Sequence, residues 1–214
     1  MVQLFEGDCL EEMVRIPAKS VDLILADLPY GQTKNPWDKV IPFEALWRQY
    51  KRVLSTKGAI VLFGQGIFSA KLILSNPKMY KYTLIWEKTT PTGFYNAKIA
   101  PLRSHEDILV FYDKAPTYNP QKTTGNKRVV SSAKHKRNCN RSTNYGNTTL
   151  TDYDSTERYP KSVWRFATDR QTLALHPTQK PIALIQELIR TYSNAGDTVL
   201  DNTMGSGTTG GSER

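Results

Sequence analysis

The feature that most narrows the folds open to this chain is Val21-Asp-Leu-Ile-Leu-Ala26, followed at once by Asp27-Leu28-Pro29-Tyr30-Gly31. Val21, Leu23, Ile24, Leu25 and Ala26 form a nearly unbroken apolar run. A strand with one wet face alternates apolar and polar residues. An unbroken run needs cover on both faces, as in a parallel sheet flanked by helices. The run ends on an acid, a rigid proline, an aromatic ring and a glycine, at the carboxyl end of the strand, where open α/β sheets bind ligands. Asp27 and nearby backbone carbonyls supply acceptors beside the flat ring of Tyr30. That surface suits a planar group carrying an amine, such as a nucleobase. The same residues also suit a plain strand and tight turn, with Pro29 and Gly31 in ordinary turn roles.

The remaining chain supplies the elements such a sheet requires. Val2-Gln-Leu-Phe5 reads as a short strand. Asp8-Cys-Leu-Glu11 has the form of a capping box, opening a helix with Leu10, Met13 and Val14 on its apolar face. Residues 32–41 read as a loop. From Pro42 to Leu54, Phe43, Leu46, Trp47, Tyr50, Val53 and Leu54 recur at three- and four-residue spacing, a clear amphipathic helix with Gly58 beyond its end. Ala59-Ile-Val-Leu-Phe63 is a second buried strand, leaving through Gly64-Gln65-Gly66. A shorter helix runs from about Ile67 to before Asn76-Pro77. Tyr82–Trp86 and Asp107–Tyr112 read as strands, with Pro91 to Arg103 a loop between them. Order returns at Val163-Trp-Arg-Phe166. Pro181 opens a strong helix with Ile182, Leu184, Ile185, Leu188, Ile189 and Tyr192 inward and Asn194-Ala-Gly196 as its stop. Thr198-Val-Leu200 is a third central strand, running into Asp201-Asn-Thr-Met-Gly-Ser-Gly-Thr-Thr-Gly210.

Composition bounds the class. At 214 residues, 39% hydrophobic and 23% charged, the chain can hold one substantial core plus an insertion. No apolar run approaches a membrane span, and the N-terminus lacks a signal-peptide pattern, so no membrane partner is expected. Two cysteines, Cys9 and Cys139, make no disulfide framework and fit a cytoplasmic location. The net charge of +9 is unevenly placed: Lys114 to Arg165 carries eleven lysines and arginines against Asp152, Asp154 and Glu157. Overlapping it, residues 113–162 are rich in Thr, Ser, Asn, Lys and Tyr and read as an irregular insertion. A solvated basic loop is one account. Clustered cations interleaved with Tyr118, Tyr145, Tyr153 and Tyr159 better suit contact with phosphates and bases.

The loop from Asp201 places a carboxylate and closely spaced glycines after a strand, which suits a nucleotide-type ligand approached by backbone N–H groups. Gly205 to Ser212 has Walker spacing, but Gly211 stands where the lysine must be, so triphosphate binding is not expected. His176-Pro-Thr-Gln-Lys-Pro181 precedes the strong helix. Thr178 reads as its cap, and Lys180 beside a helix N-terminus would hold an anion.

Taken in order around a basic insertion, Asp27-Leu-Pro-Tyr30, His176-Pro-Thr-Gln-Lys-Pro181 and Asp201 through Gly210 resemble the beta-class amino-methyltransferases of DNA, found in restriction-modification systems and phages. The likeness runs over residues 1–210 and includes Trp37-Asp38, Gly58–Gly64, Trp86-Glu-Lys88, Asn96-Ala-Lys98 and Pro101–Glu106. It implies an α/β, permuted doubly wound, Rossmann-like sheet, mostly parallel. The catalytic part would span 1–112, the target-recognition insertion 113–162 and the S-adenosylmethionine-binding part 163–210, with 211–214 a tail. Asp27 and the Leu28 carbonyl would accept hydrogen bonds from the target amine. Pro29 would stiffen the turn and Tyr30 would stack on the extruded base. Asp201, Gly205, Ser206, Gly207 and Thr208 would line the cofactor, with Thr178 and Lys180 at its carboxylate end and Asp8 near its adenine. Lys122, Lys127, Arg128, Lys134, Lys136, Arg137 and Arg141 would contact double-stranded DNA. An Asp-initiated motif implies adenine N6, with cytosine N4 the alternative. Carbon-5 methylation would need a nucleophilic cysteine, and Cys9 lies in no Pro-Cys motif.

Two departures from the pattern carry expectations. Leu28 replaces the usual first proline, which loosens the turn but keeps the carbonyl. Family members also continue beyond the glycine loop into a helix, a strand ending in a ribose-binding acid, and another helix. That strand would lie between 198–200 and 2–5. Its absence from this sequence implies an open gap in the sheet, weak cofactor binding, and impaired activity of the chain alone. A second copy or a complementing chain would be the partner to fill the gap, and the sequence names no restriction partner. The rival from another class is a non-catalytic DNA-binding remnant.

Overall fold

The structure, a computed structural model, describes residues 2–33, 35–36, 38–133, 151–168 and 180–205. Trp37, Lys134, Lys136, Arg137, Cys139, Arg141, Tyr145, His176, Thr178, Ser206, Gly207 and Thr208 lie outside the described residues. The chain forms two compact units, Met1–Asn119 with Ser162–Arg214, and Pro120–Lys161.

The first unit is built on a six-stranded sheet. Its strands are β1 (Val21–Ala26), β2 (Leu54–Gly64), β3 (Tyr80–Thr92), β4 (Arg103–Phe111), β7 (Val163–Phe166) and β8 (Val199–Leu200), in the order β7-β3-β4-β2-β1-β8. The pairs β1–β2, β1–β8 and β3–β7 are parallel, while β4 is antiparallel to both β2 and β3. All strands but β4 therefore share one direction. Their carboxyl ends form one edge, and β4 starts from it.

The unbroken apolar runs follow from cover on both faces. Val21, Ile24 and Ala26 of β1 and Ile60 and Leu62 of β2 pack with Leu46, Trp47, Tyr50 and Val53 of α2 (Phe43–Val53) and Phe68 and Leu72 of α3 (Ile67–Ser75). Leu23, Leu25, Val61 and Phe63 point the other way, onto Leu184, Ile185, Leu188 and Tyr192 of α4 (Ile182–Tyr192). Each such fully buried aliphatic or aromatic side chain contributes roughly 1.5–3 kcal/mol relative to exposure. The two faces together make the sheet doubly wound.

Several expectations are corrected. Residues 2–5 form no strand: Val2, Leu4 and Phe5 are 53%, 70% and 48% exposed. Among the described residues no strand neighbours β8 on its outer side, so nothing there offers the segment a ladder. Among the described residues β8 is therefore an edge strand of the sheet and not a central one. Asp8 does cap α1 (Cys9–Glu12), accepting from the Leu10 N–H at 2.8 Å. The helix then tightens into a 3-10 turn over Met13–Arg15, which buries Met13 and turns Val14 out to 62% exposure. Ile182 is likewise outward, in the first turn of α4. Gly58 lies inside β2, which starts directly from α2. Strands β3 and β4 reach past the expected bounds, shrinking the loop between them.

The second unit holds an antiparallel pair, β5 (Val129–Ser131) and β6 (Tyr153–Ser155), with a bridge between Thr123 and Arg158. Its segment was expected to be irregular. Its strands are three residues long, too short for an alternation signal. Among the described residues no helix is long and apolar enough to cross a membrane.

Candidate active site

The carboxyl edge of the sheet gathers residues from four separated parts of the chain. Asp27 leaves β1, and both its carboxylate oxygens are engaged. The Tyr30 hydroxyl donates to Oδ1 at 2.9 Å, and the Lys180 ammonium lies 2.8 Å from Oδ2. The Asp27 backbone carbonyl accepts from the Thr203 hydroxyl at 3.1 Å, fixing this turn to the loop after β8. Leu28 is buried among the residues facing α2 and α3, so the side chain standing in place of a proline anchors the turn by packing. Tyr30 stacks on Phe68, ring centroids 4.7 Å apart.

The turn is closed from the far side by Asp38. Its carboxylate accepts from the N–H groups of Gly31, Gln32 and Thr33 at 2.8, 2.8 and 2.6 Å. Gly31 has φ +67°, and a Cβ there would meet Val40 at 2.9 Å, so both conformation and space call for glycine.

Lys180 joins Asp27 to a second acid. Its Nζ lies 3.0 Å from Glu106 Oε2, while Lys88 Nζ lies 2.5 Å from Glu106 Oε1. All four side chains are largely buried, and their formal charges cancel. Burial by itself would lower the Lys180 ammonium, but the Asp27 and Glu106 carboxylates outweigh it and hold it above the ordinary lysine value. Burial likewise would raise Glu106; Lys180 and then Lys88 outweigh it and hold the carboxyl below its ordinary range. The Tyr30 hydroxyl is pushed well above its ordinary value by burial and by the charges of Asp27 and Glu106, so it stays a donor to Asp27.

Beside this cluster, the loop after β8 carries Asp201, Asn202 and Gly205. Asp201 accepts from the Thr203 N–H at 3.0 Å, and Gly205 has φ +49°. Asn202 Oδ1 accepts from the Tyr50 hydroxyl at 2.6 Å, while its buried Nδ2 has no hydrogen-bond acceptor. The Cys9 thiol, raised by burial, interacts with Asn202 and brings α1 to this loop. Asp8 itself serves as the α1 cap.

The structure thus brings Asp27, Leu28, Tyr30, Lys180 and the Asp201 loop together. In the second unit, Lys122 pairs with Glu157 at 2.8 Å and lies over the Tyr159 ring, Arg128 pairs with Asp154, and Lys127 is exposed. Sequence reasoning gave no role to Glu106, Lys88, Asp38, Phe68 or Asn202. Lys88 and Glu106 stand beside other polar and charged residues in β3 and β4, so nothing in the sequence singles them out. Asp38 lies seven residues beyond Gly31, and no local pattern ties it to that turn.

A carboxylate held at the carboxyl edge of a doubly wound sheet, beside a glycine-bearing loop, stands where open α/β sheets bind ligands. The chain belongs to the N6_N4_Mtase family, DNA methylase, which it matches over residues 21–212. It is 29% identical over 228 residues to DNA adenine methyltransferase YhdJ of Escherichia coli strain K12, covering 97% of this chain and 72% of that one. It is also 29% identical over 247 residues to type II methyltransferase M.HinfI of Haemophilus influenzae, covering 97% of this chain and 60% of the relative. Among solved structures, the M1.HpyAVI–SAM complex has a TM-score of 0.61 at 21% identity, covering 99% of this chain and 88% of that one. The cytosine-N4-specific PvuII DNA methyltransferase has a TM-score of 0.65 at 14% identity, covering 95% and 74%. These two share the fold.

Proposed function

We infer that this chain transfers a methyl group from S-adenosylmethionine to the N6 amine of adenine in double-stranded DNA. The observation that carries the reading is Asp27, a hydrogen-bond acceptor fixed at the sheet edge by Lys180, Tyr30 and the Thr203 hydroxyl. An exocyclic amine conjugated with its ring is a poor nucleophile. Accepting its hydrogens draws the nitrogen toward a tetrahedral geometry and makes its lone pair available for in-line attack. Tyr30 and Lys180 use one lone pair on each oxygen, and in this reading the remaining lone pairs would accept the hydrogens of the amine. The Leu28 carbonyl is the second acceptor in this reading, and the packed Leu28 side chain keeps it in place. The target base must leave the stack to reach them.

S-adenosylmethionine, when bound, supplies a methyl group made electrophilic by its sulfonium. The residues present fit such a ligand: Asn202 offers a buried donor lacking an acceptor, and Asp201 sets a carboxylate beside it. Asp201, Gly205 and Asp8 would hold it, with Lys180 at its carboxylate on releasing one of its two present acids. Residues 113–162 serve as the target-recognition part. There Lys127 is exposed, while Lys122 and Arg128 would exchange Glu157 and Asp154 for phosphates. Adenine is favoured by the acid that opens the motif and by the named adenine specificity of YhdJ.

The test is incubation of the purified chain with tritiated S-adenosylmethionine and mixed-sequence unmethylated DNA, followed by digestion and identification of the labelled base. Label in N6-methyladenine is the expected result. Label in N4-methylcytosine, or DNA binding without any label, would overturn it.

A further inference from the structure

We propose that the β3–β4 loop, residues 93–102, is a wedge that enters duplex DNA beside the extruded base, with Phe94 and Tyr95 as the inserted side chains. The proposal rests on the reading of DNA as substrate and adds an insertion device to it.

The loop is an ordered protrusion with an apolar tip. Gly93, at φ +88°, turns the chain out of β3. The following residues fold on themselves: the N–H groups of Asn96 and Ala97 donate to Gly93 and Phe94, and those of Ile99 and Ala100 both donate to Asn96, at 2.9–3.0 Å. Yet Phe94, Tyr95 and Ile99 are 80%, 104% and 85% exposed. Three large apolar side chains within six residues on a structured loop gain nothing from this chain. Such a cluster marks a surface meant for a partner.

Its position names the partner. Because β3 runs parallel to β1, the loop leaves the same sheet edge as Asp27. Glu106 belongs to the Asp27 cluster, and Arg103, where β4 begins, lies three residues nearer the loop, about 10 Å by strand rise. A DNA groove is about 8 Å deep. A base drawn to Asp27 thus leaves its gap within reach of the loop tip. Apolar side chains inserted between base steps are a known device for kinking or opening a duplex. The charge agrees: from Lys88 to His105 there is no acidic residue, and Lys98 and Arg103 flank the tip. A second copy of a chain carrying +9 is the poorer electrostatic match.

The test uses the full chain and a mixed-sequence duplex in which 2-aminopurine replaces part of the adenine; its fluorescence rises on unstacking. Wild type is expected to raise the signal. The double variant Phe94→Ala, Tyr95→Ala is expected to bind the duplex within about threefold of wild type, since phosphate contacts dominate affinity, but to lose most of the rise. Phe94→Leu with Tyr95→Leu should restore part of it. Val14→Ala, at an exposed position before the amino end of β1, should match wild type. An undiminished rise in the alanine variant, or no rise with wild type, overturns the wedge. So does a lower sedimentation mass for that variant with an unchanged DNA signal, which would assign the loop to self-association. The readout needs no methyl transfer: a wedge signal without tritium label would refute the proposed reaction and leave the wedge standing.

Discussion

Replacing Lys180 by methionine keeps the length of the side chain and removes its charge. In the native chain Lys180 lies 2.8 Å from Asp27 and 3.0 Å from Glu106, and Lys88 lies 2.5 Å from Glu106. Two cations balance two anions. Without Lys180, Glu106 keeps Lys88 while Asp27 loses its cation, and one negative charge is left over in a largely buried site. Breaking a buried pair by removing one partner costs roughly 3–5 kcal/mol. The Asp27 side chain is 28% exposed and can recover some hydration, so the lower end, about 3 kcal/mol, is expected. With a urea slope of about 3 kcal/mol/M, the upper value for small proteins, the midpoint should fall by about 1 M. Glu106→Gln alone leaves Lys88 without its carboxylate near the Trp86 ring and should cost about 3 kcal/mol. The double variant removes one charge of each sign. It should cost about as much as Lys180→Met alone, a coupling of about 3 kcal/mol. Equilibrium unfolding of the four proteins measures it. Additivity within about 0.5 kcal/mol would refute the claim that these charges act as one network.

Asp27→Asn should abolish methyl transfer while shifting the unfolding midpoint far less than Lys180→Met, since a neutral amide leaves Lys180 paired to Glu106; a tritium-transfer assay with urea unfolding checks both. The Glu106 carboxyl is held below its ordinary 4.5, so its contribution to stability is present above that value and lost as pH falls through the lower folded value. Unfolding midpoints between about pH 6 and 3 should drop for wild type, and the drop should be shallower for Glu106→Gln. Asp38→Ala removes the acceptor of three N–H groups and should cost about 1–3 kcal/mol, with a lower kcat from a looser Asp27 turn. Tyr50→Phe removes the donor to Asn202 inside a fully buried contact and should cost about 1–2 kcal/mol, visible in the thermal midpoint.

The elements around the site were legible wherever periodicity was strong. The helices α2, α3 and α4 fall within a residue or so of the expected spans, because their apolar spacing reports a face that the sheet does cover. The Asp27 turn was legible for another reason: Pro29 and Gly31 punctuate the end of an unmistakable buried strand. What stayed hidden depends on contacts between distant segments. Val2–Phe5 has strand chemistry, but a strand exists only where a neighbour offers hydrogen bonds. The place of Lys180 was open because a lysine before a helix can hold any anion. That it lies on Asp27 and Glu106 is set by how β1, β4 and α4 meet. Glu106 and Lys88 sit among other polar residues of β4 and β3, and their pairing is a register fact about those two strands.

Thr203 reaches back 176 residues to the carbonyl of Asp27, and the Thr198 N–H reaches an equal distance to the Asp22 carboxylate. The acceptor is thus finished by the last described strand of the sheet, closing onto the first. During synthesis, the segment carrying Asp27 emerges early but lacks both Lys180 and Thr203 until nearly the whole described chain has been made. Such long-range closures slow folding, because chain entropy must be lost before the contacts can form. A ribosome-bound intermediate therefore has its basic middle segment exposed before it has a positioned Asp27: affinity for polyanions should precede chemical competence in time, and folding measured by the two readouts should differ in rate.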